Sequence, residues 1–175
     1  MKRKSKIGQI WIETVIYTLI ALIMIGAVLA FVRPKIQEIQ DKLVIDQTFD
    51  TLEEIDSQIT SVINGGVGNK RIINVEIKKG EIKIDPANEN ITFTLRESNS
   101  LYSEPGETIK IGKIETTTIE TGKTSTVFLT LNYKTQYNID YDTAASPEIL
   151  GKSPSPYKIT ITNQGDNKIE IEAKS

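Results

Sequence analysis

The chain has 175 residues, a formal net charge of −2, and neither cysteine nor histidine. Disulfide frameworks, thiolate or histidine metal sites and histidine-based triads are therefore excluded, and the near-neutral balance leaves no basic footprint for nucleic acid. The length leaves room for one modest domain plus an extended element.

The charge is unevenly placed. Lys2, Arg3, Lys4 and Lys6 lead into an apolar run, while the remainder is mildly acidic. Such an asymmetry orients a membrane segment with its basic end in the cytoplasm and the remainder outside. From Thr14 to Val32 there are 19 consecutive uncharged, mostly apolar residues. At ~1.5 Å per residue they span roughly 28 Å, close to the thickness of a hydrocarbon core. The run exceeds the apolar core of a secretory signal and ends AFVRPK, with no small-x-small cleavage site after it. Glu13 stands just inside the start of the run, where an uncompensated carboxylate costs a few kcal/mol.

Arg33 and Pro34 close the run, and Pro34 is expected to kink one long helix or divide it in two. The helical period nevertheless continues. Ile36, Ile39, Leu43, Phe49, Leu52, Ile55, Ile59 and Val62 recur at mostly three- and four-residue steps among polar residues, the pattern of an amphipathic helix. Asn64-Gly65-Gly66 supplies the stop. The expected organisation is a leader over residues 1–8, a long helix over 9–63 that crosses a membrane at about 14–32, and an outer β-rich domain over 64–175.

Beyond Gly68 the period changes to two. Ile73, Val75 and Ile77, then Ile82 and Ile84, then Ile91, Phe93 and Leu95 alternate with polar residues. Further strands are expected at Thr108–Glu120, Thr124–Tyr133, Gln136–Tyr141, Tyr157–Thr162 and Lys168–Ala173, separated by Gly- and Pro-bearing turns. Residues 142–156, with three prolines, read as a surface loop. About eight strands with one apolar face each predict an α+β fold: a long N-terminal helix packed on an antiparallel β-sheet or β-sandwich.

The basic stretch, then Gly8-Gln9, then Glu13, then the uninterrupted apolar helix reads K-I-G-Q-I-W-I-E-T-V-I-Y. This resembles archaeal type IV pilin-like proteins with a class III signal peptide. The resemblance covers roughly residues 1–35. It implies that a prepilin peptidase cuts between Gly8 and Gln9 on the cytoplasmic side and that the helix stays with the mature chain. It further implies that Glu13 pairs with the new α-amino group of a neighbouring subunit and sets the axial register. The implied partners are the peptidase, the membrane, identical or related pilin subunits and the pilus assembly machinery, with no nucleic acid. The implied location is a single-pass membrane protein that moves into a cell-surface filament. The glycine-rich helix entry of the related archaellins is absent, so an adhesive or structural pilus fits better than a rotating one. The competing expectation is a non-cleaved, membrane-anchored surface protein whose β-domain binds a ligand.

Asn90-Ile91-Thr92 is an N-glycosylation sequon on the outward-facing part. Asp140, Asp142 and Glu148 lack the spacing of a calcium loop and read as a solvated acidic loop. Gly65-Gly66-Val67-Gly68 lacks the Gly-Lys-Ser/Thr of a phosphate loop and reads as a hinge between helix and sheet. No catalytic residue, metal or cofactor is expected.

Overall fold

The computed structural model describes residues 6–142 and 146–175, with side chains from residue 10 onward. Its first element is α1 (Lys6–Asn64), which contains Pro34. Of the two outcomes expected at Pro34, a kink or a division, the division does not occur. The ring removes one N–H and its hydrogen bond to the carbonyl four residues earlier, a local loss that an otherwise strong helical sequence absorbs.

Two compact units meet at Ile39 and Gln40. The first is α1 up to Ile39. The second contains the rest of α1 and ten strands: β1 (Lys70–Val75), β2 (Glu81–Asp85), β3 (Asn90–Ser98), β4 (Thr108–Ile111), β5 (Ile114–Thr121), β6 (Thr124–Asn132), β7 (Asn138–Tyr141), β8 (Glu148–Leu150), β9 (Tyr157–Gly165) and β10 (Lys168–Lys174). They form a four-stranded sheet, β1-β9-β10-β7, and a six-stranded sheet, β4-β5-β6-β3-β2-β8. Every neighbouring pair is antiparallel except β7 and β10, which run parallel.

One core unites helix and sheets. Ile45, Leu52, Ile55, Ile59 and Val62 of α1 cluster with inward residues of both sheets, among them Phe93, Leu129, Ile161 and Ile171. Full burial of these five helix side chains contributes on the order of 10 kcal/mol before entropic costs. The buried stripe corrects the expected one: Ile36, Ile39 and Leu43 are exposed, and Ile45 replaces them. Leu43 and Ile45 lie about 200° apart around a helix of 3.6 residues per turn, so they cannot share a face.

The segment expected to be one strand, Thr108–Glu120, is two. Gly112, at φ 60, turns β4 back along β5. The apolar parity shifts at the same place, from Ile109 and Ile111 to Ile114. The region expected to be an open loop contains β8, which pairs with β2 through Ile82↔Leu150.

The helix ends at Asn64, and Gly66 just beyond it has a φ of 85, which needs the left-handed freedom of glycine. The connection after it is fastened rather than loose. The Gly68 N–H donates to the Asn163 carbonyl (2.8 Å), and the Asn163 N–H donates to the Asn69 carbonyl (3.0 Å). Asn163 Nδ2 also reaches the Val62 carbonyl at 3.4 Å.

Candidate functional site

Of the residues picked out in the sequence, Lys6, Gly8, Gln9 and Glu13 lie on the first turns of α1. Lys2, Arg3 and Lys4 lie outside the described residues. Lys6 opens α1, and Gly8 and Gln9 follow within its first turn. Glu13 is four residues beyond Gln9, which places both on one helix face. A new amino group at Gln9 would therefore arise one turn from the carboxylate.

The segment that follows is apolar on every face. Leu22 (61% exposed), Ile23 (62%) and Met24 (61%) follow one another at about 100° around the helix, and none is covered within the chain. A helix of a soluble core would bury one side, which this stretch does not. Among the described residues, α1 is the one helix long and apolar enough to cross a membrane. Its threonine hydroxyls are satisfied internally: Thr14 Oγ1 donates to the Ile10 carbonyl (2.9 Å), and Thr18 Oγ1 donates to the Thr14 carbonyl (2.8 Å). Such back-bonding removes hydroxyl donors from a low-dielectric surrounding. Past Pro34, Lys35 and Glu38 form an exposed ion pair at 2.7 Å, which marks the return to a polar setting.

Within the second unit, several charged groups fasten α1 to the sheets. Asp41, 2% exposed, accepts from Lys79 Nζ, from the Asn99 amide (2.8 Å) and from Asn99 Nδ2 (3.1 Å). Burial alone would raise its carboxyl pKa, but the Asn99 amide, Lys79 and the Asn99 side chain together hold it below the ordinary value. Asp56 accepts from Tyr133 Oη (3.0 Å) and pairs with Lys113 Nζ (2.9 Å). Burial, then the Asp56 charge, push the Tyr133 phenol far up. Asp85 is held at about 2 by Lys83 and by Asn88. Neither Asp41 nor Asp56 stood out in the sequence, because an acid inside an amphipathic stretch looks like part of the wet face.

Asn90 begins β3, half-buried, opposite Asp85 on β2 and Asn132 on β6, and Thr92 Oγ1 lies 3.4 Å from its Oδ1. Asp140 is paired with Lys168 Nζ at 2.5 Å. Lys78, Lys79 and Lys83 are paired with Glu76, Asp41 and Asp85, so the basic set around β1 and β2 is largely neutralised. A cleft of about 300 Å³ is lined by Gln47 and Thr51 of α1 and by Glu76 and Lys79 of the β1–β2 connection. Among the described residues, no group of three acidic, histidine or cysteine side chains converges on a metal position. Compared with protein-family models, with curated proteins and with solved structures, the chain has no match.

Proposed function

We propose that the chain is a structural subunit of an archaeal type IV pilus-like surface filament, cut between Gly8 and Gln9 by a prepilin peptidase. The observation that carries this reading is the all-round exposure of the apolar segment of α1, immediately downstream of Gly8, Gln9 and Glu13. A helix with no polar face is stable in lipid and equally stable among copies of itself, so the same surface serves membrane storage and a filament core. The covered half of α1 anchors the β-domain, which coats the filament exterior. Glu13 pairs with the new amine of a neighbouring subunit and fixes the stagger between helices. The chain has no catalytic role.

N-terminal sequencing and intact mass of the protein from its native cells test the proposal. A mature chain starting at Gln9, recovered from purified surface filaments, is the expected result. A mature chain starting at Met1 or Lys2 overturns it and favours the uncleaved surface anchor.

A further inference from the structure

The β-domain ends in two free sheet edges of unlike character. In the four-stranded sheet, β1 neighbours β9 alone; in the six-stranded sheet, β4 neighbours β5 alone. Unpaired edges are templates for another chain, and natural domains blunt them with charge, proline, bulges or cover.

The β4 edge lacks most of these devices. All four of its residues are exposed. Ile109 opposes the buried Thr116 and Ile111 opposes the buried Ile114, so both isoleucines stand on the core side of the sheet. They nonetheless remain 38% and 40% exposed, because the core layer stops short of them. Glu104 and Glu107 precede them, both exposed, and among the described residues neither has an ion-pair partner. The β4 edge is thus apolar and acidic.

The β1 edge has the opposite charge. Ile72 is 52% exposed, and Val67, just upstream, is 76% exposed. Lys70 and Arg71 lie between them, exposed and, among the described residues, without a carboxylate partner.

We propose that the β-domain binds a second copy of this chain head to tail, the basic β1 edge of one copy lying beside the acidic β4 edge of the next. Opposite charge selects the pairing and disfavours β1 with β1 or β4 with β4, where like charges would meet. Ile72 and Val67 then cover Ile109 and Ile111. Because the two surfaces differ, the contact is heterologous and propagates into an open array rather than closing as a two-fold dimer. It rests on the filament reading only for where it operates; the contact itself requires no cleavage at Gly8.

The competing role for Lys70 and Arg71 is repulsion, as gatekeepers that keep β1 from pairing at all. Cross-linking separates the two, helped by the absence of native cysteine. Full-length Ile72→Cys and Ile109→Cys variants are mixed in detergent micelles under mild oxidation. The expected result is a mixed 72–109 disulfide in excess of both homodimers. Adding Lys70→Glu and Arg71→Glu to the first variant lowers that yield roughly fivefold, the scale of reversing exposed charge pairs, and Glu104→Lys with Glu107→Lys in the partner restores it. Dimers in the proportions of random collision overturn the proposal. So does a charge reversal that leaves the yield unchanged or raises it. A mature N-terminus at Met1 would end the filament reading and leave this result standing, so the two fail separately.

Discussion

The Tyr133 hydroxyl donates to the Asp56 carboxylate across 3.0 Å, joining the end of β6 to the second half of α1. Lys113, from the β4–β5 turn, meets the same carboxylate. Three separate parts of the β-domain therefore meet at one acid. Tyr133→Phe keeps the ring and removes the donor, leaving Asp56 with the lysine. The expected loss is about 1–2 kcal/mol, as for a hydrogen bond to a charged group. Denaturant unfolding of the full chain in micelles measures it, and an unchanged midpoint would remove Tyr133 from the attachment.

Asp41 is the more buried counterpart at the start of the same unit. Asp41→Ala strands the Asn99 amide and unpairs Lys79, and it is expected to cost about 2–3 kcal/mol. Asp41→Asn retains an acceptor and costs less. Equal losses in the two variants would show that the charge carries the whole contribution and that the retained shape and acceptor add nothing.

Gly80 lies at φ 85, and a Cβ there would come 2.6 Å from the Phe93 ring and 2.8 Å from the Thr94 carbonyl. Backbone strain and collision act together, so Gly80→Ala is expected to destabilise by about 2 kcal/mol or more. Thermal unfolding followed by circular dichroism reads this directly. A neutral outcome would mean that the β1–β2 connection is free to rearrange.

Asp85 predicts an acid limit. Its folded pKa, about 2, lies below the ordinary carboxylate value, so it favours the folded state fully above about pH 4. That contribution, on the order of 2 kcal/mol, is lost as pH falls from about 4 towards 2. Asp41, also lowered, acts in the same direction. Melting temperature should decline over that window, and Asp85→Asn should be less stable at neutral pH with a shallower acid decline. Parallel curves for the two proteins would assign the decline to other groups.

Glu13→Gln tests the register role separately from insertion. The variant is expected to enter membranes and be cut at Gly8 normally, yet to be depleted from filaments relative to its membrane pool, as quantified by immunoblot. Undiminished incorporation would refute the pairing with the Gln9 amine. Mass spectrometry of the same mature chain also tells a free N-terminal Gln from its uncharged cyclised form, in which that pair does not exist.

The sequence was most informative where a period ran long. The apolar run, the stop at Asn64-Gly65-Gly66 and the alternation in β2, β3 and β6 were all legible because each repeats one physical requirement several times. The core face of α1 was not. Leu43 and Ile45 are both apolar and both fit a three- or four-residue series, and only the docked sheets decide which series is covered. The β4–β5 turn left a signal in the parity change between Ile111 and Ile114. The attachment acids Asp41 and Asp56 left none, since their partners at Lys79, Asn99, Lys113 and Tyr133 are distant in sequence. The short β8 and the parallel pairing of β7 with β10 depend likewise on neighbours that local patterning does not encode.

The stitching of Asn163 to the end of α1 has a mechanical consequence. Asn163 lies on β9, an inner strand with β1 on one side and β10 on the other. Its backbone and side chain bond to Val62, Gly68 and Asn69, so the helix terminus and its connection are fastened to β9. Tension drawn along that end of the helix is therefore delivered to the middle of a sheet and shared between two ladders, instead of unzipping a strand from its rim.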